Sequence, residues 1–143
     1  MRRSSSSATI WVVLFVMIAF IGFADSVYLT ASHYIGELPT CTVVEGCDEV
    51  ALSEYSTIGP VPLSLLGVLF YTLMIVWGVV WLDSRKKGVF RFMPLITIPA
   101  FLFSMWLIYV MFYVIDALCI YCLISSGTTT LLMLLSLKFS KKL

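Results

Sequence analysis

Residues 8–31 read ATIWVVLFVMIAFIGFADSVYLTA and contain a single charged side chain, Asp25. A helix needs about 20 apolar residues to cross the hydrocarbon core of a bilayer, and this stretch supplies them. Three further apolar runs follow at residues 61–82, 93–115 and 118–137. Because these runs lack the polar–apolar alternation of a membrane-barrel strand, all four are predicted to be membrane-spanning helices.

The overall composition agrees with this prediction. Hydrophobic residues make up 61% of the chain and charged residues 12%, whereas soluble domains are about half apolar and a quarter charged. The composition excludes an ordinary globular enzyme, a disordered tail and a nucleic-acid binder. We therefore predict an all-α fold, with residues 1–143 forming one integral membrane four-helix bundle. A short extracytoplasmic loop, with a short helix at residues 48–56, is predicted between the first two spans.

The basic residues predict the orientation in the membrane. All nine lie at the N-terminus, between spans two and three, or at the C-terminus, which is one side of a four-span chain: Arg2, Arg3, Arg85, Lys86, Lys87, Arg91, Lys138, Lys141 and Lys142. By the positive-inside rule this side is cytoplasmic, which indicates a multi-pass protein of the cytoplasmic (inner) membrane. The N-terminal stretch also has features of a cleaved signal peptide, but its apolar character continues past Asp25 and favours a span.

This topology places all four cysteines on the extracytoplasmic side, where disulfides form and persist. Cys119 and Cys122 are three residues apart at the start of span four, so they share one face of its first turn. The positive end of the helix dipole stabilises a thiolate there. Cys41 and Cys47 lie in the first outer loop, which can close a disulfide or deliver a sulfur to another pair. Two such pairs favour a relay of electrons by thiol–disulfide exchange.

Three structural interpretations of the cysteines compete with a relay. A four-cysteine zinc site usually has two close-spaced pairs, and only one pair here has the Cys-x-x-Cys spacing. Two static disulfides are possible, although the small ring of a Cys-x-x-Cys disulfide constrains the unfolded chain little. Cys119 and Cys122 could also be unrelated buried cysteines. No metal site is expected.

Several motifs resemble the vitamin K epoxide reductase family in its prokaryotic, quinone-linked form. They cover nearly the whole chain and occur in a specific order: Asp25-Ser26-Val27-Tyr28-Leu29-Thr30 at the end of span one, Cys41-x5-Cys47, Ser53, Gly59-Pro60-Val61-Pro62-Leu63-Ser64-Leu65-Leu66-Gly67 before and into span two, and Cys119-Ile120-Tyr121-Cys122. The order of the loop pair, the serine and the last-helix pair is specific, whereas an isolated Cys-x-x-Cys would not be.

The resemblance implies a four-helix bundle around a quinone pocket, with a quinone of the ubiquinone, menaquinone or phylloquinone type. It implies that Cys119 and Cys122 are the active-site pair and that Cys122 faces the quinone. Cys47 would attack Cys119, and Cys41 would take electrons from a partner thiol protein. Ser53 would form a hydrogen bond near the active-site sulfurs, beside the quinone.

Two departures from the family refine this expectation. Many prokaryotic members carry a fused thioredoxin-like domain after the bundle, and none follows here, so a separate DsbA-like thiol oxidase is expected as the partner. Animal members place an asparagine and a tyrosine at the quinone. This sequence has no asparagine, and Ser126 stands four residues after Cys122 in the place of the tyrosine. Ser126 is thus a candidate quinone contact, and reduction of an ordinary quinone is expected rather than reduction of an epoxide.

Two rival functions stay open from the sequence. A DsbB-like quinone oxidoreductase also has four helices and two outer cysteine pairs, but its Cys-x-x-Cys pair lies in the first outer loop. A non-enzymatic four-span scaffold would use the disulfides to brace its outer loop. Asp25 has two interpretations, an acid solvated at the membrane interface or a site residue. The polar stripe formed by Ser125, Ser126 and residues 128–130 is more typical of close helix packing.

Overall fold

Four long helices make up most of the described chain. The computed structural model describes residues 2–36, 57–116 and 120–142. The helices are α1 (Arg2–Ile35), α2 (Leu63–Ser84), α3 (Met93–Val110) and α4 (Ile120–Lys142). Each is long and apolar enough to cross a membrane, when the turns flanking α3 are counted with it. The predicted all-α membrane bundle is therefore confirmed, and the predicted short helix at residues 48–56 lies outside the described residues.

Large apolar side chains are exposed along every helix. Met17, Leu69, Leu102 and Leu134 are each between 54% and 62% exposed, and they come from α1, α2, α3 and α4 respectively. An apolar surface spread over all sides of a protein would be a liability in water, but it is the surface that lipid tails require. The chain is a multi-pass membrane protein.

A small hairpin precedes α2. Thr57–Ile58 pairs antiparallel with Val61–Pro62, across a turn in which Gly59 has a φ of 61°. Glycine adopts this left-handed conformation without a steric cost, and the following proline suits a turn. Pro62 then lies directly before the first residue of α2. The sequence predicted a break here but not the strand pair.

The end of α3 departs from a regular α-helix. Residues Met111–Ile115 form a π-helical turn, and Asp116 follows with a φ of 55°. Aspartate tolerates this left-handed conformation better than most residues, so it can end the helix. The third apolar run at 93–115 therefore contains both an α-helix and a π-helical turn. Near the other end, Pro94 lies in the first turn of α3, where its missing N–H costs nothing.

α1 and α2 pack antiparallel from Thr9 to Thr30 of α1, in what we call the α1–α2 seam. In five contacts along the seam the two residue numbers add to 93 or 94: Thr30 with Ser64, Ser26 with Gly67, Gly22 with Tyr71, Val16 with Gly78, and Thr9 with Arg85. At three of these contacts one partner is a glycine, and an added Cβ there would overlap the facing side chain. The glycines therefore set how closely the two helices approach.

The two ends of the bundle differ in chemistry. At one end, here called the basic end, Phe15, Phe90 and Phe139 form a buried aromatic cluster with Trp81. Two cations lie over aromatic rings at this end: Arg85 over Trp81, at 5.3 Å from the ring centroid, and Lys138 over Trp11, at 3.4 Å. Such cation–π pairs stabilise by about 0.5–2 kcal/mol. The opposite end, here called the cysteine end, carries Cys122.

Candidate functional site

Cys122 is the predicted catalytic residue that the structure describes. It lies in the first turn of α4 as described, because that helix begins at Ile120, and its side chain is half-buried. The backbone N–H groups of a first turn have no acceptor within the helix, and the helix dipole is positive there. Cys119, Cys41, Cys47 and Ser53 lie outside the described residues, so the geometry of the predicted relay is not tested.

Ser126 lies one turn after Cys122 on α4. Its side chain is buried, and its hydroxyl oxygen accepts a hydrogen bond of 3.2 Å from the hydroxyl of Ser104 on α3. The half-buried sulfur of Cys122 and the buried hydroxyl of Ser126 thus lie one turn apart on α4, and Ser104 adds a second hydroxyl from α3. Ser126 stays a predicted quinone contact.

A buried tyrosine organises the next turn of α4. Tyr71 comes from α2 and is 1% exposed. Its hydroxyl oxygen lies 2.6 Å from the hydroxyl of Thr128, 3.1 Å from that of Thr129 and 2.9 Å from the carbonyl oxygen of Ser125. The Ser125 hydroxyl oxygen lies 3.2 Å away. We call Tyr71, Ser125, Thr128 and Thr129 the hydroxyl cluster.

The protons of the hydroxyl cluster can be assigned from these contacts. The hydroxyls of Thr128 and Thr129 each donate to the Ser125 carbonyl oxygen at 2.8 Å. Their protons are therefore committed, so the single hydroxyl proton of Tyr71 is donated to the Ser125 carbonyl oxygen or to a lone pair of Thr128 or Thr129. The hydroxyl of Tyr71 is fully used inside the protein, so it fixes α2 against α4 close to Cys122 without offering a free donor.

Sequence reasoning missed Tyr71. The polar stripe on α4 was visible, but its interpretation as helix packing gave no partner on another helix. Gly22 indicated a helix contact at this level, because small residues in membrane spans commonly lie where a neighbouring helix approaches closely. In the structure, a Cβ on Gly22 would overlap the ring of Tyr71. Without the helix register, that partner could not be named.

On the other side of Cys122, α1 contributes both an acid and an aromatic contact. The rings of Tyr28 and Tyr121 lie 5.1 Å apart, and Tyr121 directly precedes Cys122. Asp25 and Ser26 are both buried, one turn earlier in α1, and both carboxylate oxygens of Asp25 are inaccessible to solvent. Asp25 therefore lies within the packed part of the helix and not at an exposed interface.

The register between α1 and α4 gives the position of Asp25 along the bundle axis. Tyr28 with Tyr121 and Trp11 with Lys138 are contacts near opposite ends of the two helices, and both pairs of numbers add to 149. On that register Asp25 lies level with residue 124. Two residues of helix rise by about 3 Å, so Asp25 lies within one turn of Cys122 along the bundle axis.

The polar groups near the start of α4 are few and lie among apolar side chains. The site combines a half-buried sulfur, hydroxyl groups and one carboxyl group with otherwise apolar helix faces. Within residues 2–36, 57–116 and 120–142, no group of three or more His, Cys, Asp or Glu side chains could hold a metal ion.

The family comparison agrees with the motifs. The model of the Vitamin K epoxide reductase family matches residues 13–137, which is most of the chain. The matched range includes all four helices, apart from the ends of α1 and α4. No curated protein matches the chain.

Proposed function

The chain belongs to the vitamin K epoxide reductase family, and from this we propose that it is a quinone-linked thiol–disulfide oxidoreductase of the membrane that supports disulfide-bond formation. The family match carries the proposal, and membership implies a membrane oxidoreductase. The half-buried sulfur of Cys122 at the start of α4, with hydroxyls one turn away, supports it.

The electrons travel from the loop to α4 in this proposal. A thiol of an extracytoplasmic thioredoxin-like partner attacks the Cys41–Cys47 disulfide, and the partner leaves oxidised. The freed Cys47 attacks Cys119 of the Cys119–Cys122 disulfide, and Cys122 is released as a thiolate. Cys41 then attacks Cys47 and re-forms the loop disulfide, which frees Cys119. The first turn of α4 favours the thiolate because unpaired N–H groups and the helix dipole stabilise negative charge.

Cys122 passes the electrons to the quinone. Cys122 contacts the ring, while Ser53 and Ser126 are the candidate hydrogen-bond donors to it. A strongly oxidising DsbA-like partner has a potential near about −120 mV, so the acceptor must lie above that value, as a quinone can. When bound, the quinone supplies the two-electron sink, and Cys119 and Cys122 return to the disulfide form. Its ring can be of the ubiquinone, menaquinone or phylloquinone type.

The proposed location is the cytoplasmic membrane, with both termini in the cytoplasm. The basic end carries Arg85 and Lys138, as the positive-inside rule requires for a cytoplasmic side. The cysteine end then faces the oxidising compartment, where the partner is found.

The test uses the purified protein in detergent with a reduced DsbA-like thiol oxidase and a soluble quinone analogue. We expect the analogue to be reduced and the partner oxidised, and we expect Cys122→Ala to abolish both. Ser84→Ala, an exposed change at the basic end, is the matched control and should keep full turnover. Full turnover by Cys122→Ala would refute the mechanism.

The relay through the loop has its own test. Cys47→Ala should block electron transfer from the protein partner, while dithiothreitol should still reduce Cys119–Cys122 directly. The measurement is quinone reduction with each reductant in turn. Equal loss with both reductants would mean that the loop cysteines only brace the structure.

A further inference from the structure

Asp25 differs from the other acids that the structure describes. Of Asp25, Asp83 and Asp116, Asp25 alone is buried, with 9% of its surface exposed. Ionisable residues inside membrane spans are rare and usually functional, so a buried acid in a span points to function. On the α1–α4 register Asp25 lies level with residue 124, and so beside the first turn of α4.

Three phenol groups and the Cys122 sulfur lie within about one helical turn of Asp25 along the bundle axis. Tyr71 comes from α2, Tyr121 and Cys122 from α4, and Tyr28 lies one turn further along α1. Among the described residues, the nearest basic side chain along α1 is His33, eight residues or about 12 Å further toward the cysteine end. Asp25 is therefore the described acid that can exchange a proton at the level of the Cys122 sulfur.

Reduction of the quinone needs a proton source at the level of the Cys122 sulfur. After the relay has acted, Cys119 carries one thiol proton and Cys122 is a thiolate, but a quinol carries two protons. The hydroxyl cluster is a poor source of the second one, because hydroxyl groups give up a proton far less readily than a carboxyl group, and the protons of Thr128 and Thr129 are held by the Ser125 carbonyl oxygen. A further acid at this level can supply it.

We propose that Asp25 is this acid, and this proposal rests on the proposed function. The S–S bond between Cys119 and Cys122 forms, and the S–H bond of Cys119 and the O–H bond of Asp25 break. Both electrons and both protons go to the quinone, whose two oxygens gain O–H bonds, and the quinol leaves. Asp25 remains as a carboxylate and regains its proton from water at the cysteine end. Atoms and charge balance, with one negative charge before and after.

The first test compares Asp25→Asn with Asp116→Asn, which removes the same charge from an exposed site at the same end. Loss of a positioned general acid typically costs 10²–10⁴-fold. We expect Asp25→Asn to slow quinone reduction about 100-fold at least, and Asp116→Asn to have little effect. Oxidation of the reduced partner in a single turnover without quinone should keep its rate in both variants, which a general loss of structure would not allow.

Two further measurements do not depend on the asparagine variant folding. The rate of quinone reduction by the wild-type protein should fall as the pH rises and Asp25 loses its proton, and Asp25→Glu should keep this descending limb. Infrared spectra of the resting protein should contain a protonated carboxyl band that Asp25→Asn lacks. A wild-type rate without that limb, or an Asp25→Asn variant with wild-type rate and spectrum, would overturn the inference. A wild-type protein that reduces no quinone would refute the proposed function instead.

Discussion

Gly22→Ala should destabilise the protein strongly, because there is no room for one more carbon in the α1–α2 seam. The added Cβ would overlap three carbons of the Tyr71 ring, with the Cδ1 atom 2.8 Å away, whereas carbon atoms pack at about 3.5–4.0 Å. The ring cannot turn aside freely, since it is buried and its hydroxyl is held by Ser125 and Thr128. Overpacking costs about 1–3 kcal/mol, and each lost membrane hydrogen bond about 0.6 kcal/mol. We expect a loss of about 2–4 kcal/mol.

The matched control is Gly127→Ala. Gly127 also lies inside a helix, but a Cβ there would have no neighbour within 4 Å. The measurement is the free energy of unfolding in mixed micelles, with Tyr71→Ala and the double variant Gly22→Ala/Tyr71→Ala completing a cycle. In the Tyr71→Ala background, Gly22→Ala should cost little because the facing ring is gone. Equal effects of Gly22→Ala and Gly127→Ala, or an additive cycle, would show that the contact does not limit the approach of α1 and α2.

Two further changes test the buried hydroxyls. Tyr71→Phe keeps the ring but removes the contacts to the hydroxyl cluster, so unfolding measurements should show a loss of about 1 kcal/mol. Thr72→Val, whose hydroxyl bonds only the Val68 carbonyl of its own helix, should cost less, and the reverse order would contradict the assignment. Thr97 and Ser136 form a buried pair at 2.8 Å between α3 and α4. Thr97→Val and Ser136→Ala should therefore show a coupling energy of about 0.6 kcal/mol in a double-mutant cycle, and strict additivity would contradict the bond.

The four spans could be predicted because hydropathy alone determines them. The run at residues 8–31 is apolar enough for a span on its own, and α1 includes it, extending from Arg2 to Ile35. The extension follows from backbone hydrogen bonding, which continues into polar residues where hydropathy gives no signal. For the same reason, hydropathy did not predict the π-helical turn at Met111–Ile115, since its residues are as apolar as those of α3.

Sequence reasoning proposes site residues only where they carry a local signal. The spacing of Cys119 and Cys122 indicates redox chemistry without any knowledge of neighbours. The role of Tyr71 depends on which helix faces which, and that register is a property of the packed bundle and not of any segment. The burial of Asp25 could not be predicted for the same reason, so the sequence left open both an acid solvated at the membrane interface and a site residue.

The α1–α2 seam limits where residues can be inserted into α1 or deleted from it. One residue inserted between Gly22 and Asp25 would rotate everything after it by about 100° around the helix axis. Either Gly22 would lose Tyr71, or Asp25 and Ser26 would turn toward lipid, where an ionised carboxylate costs about 2.5–3.5 kcal/mol. Insertions and deletions should therefore be tolerated beyond Thr9 and Thr30, the outermost contacts of the seam, and not between them. Membranes of different thickness can then be matched by lengthening the helix ends, while the middle of α1 keeps a fixed residue count.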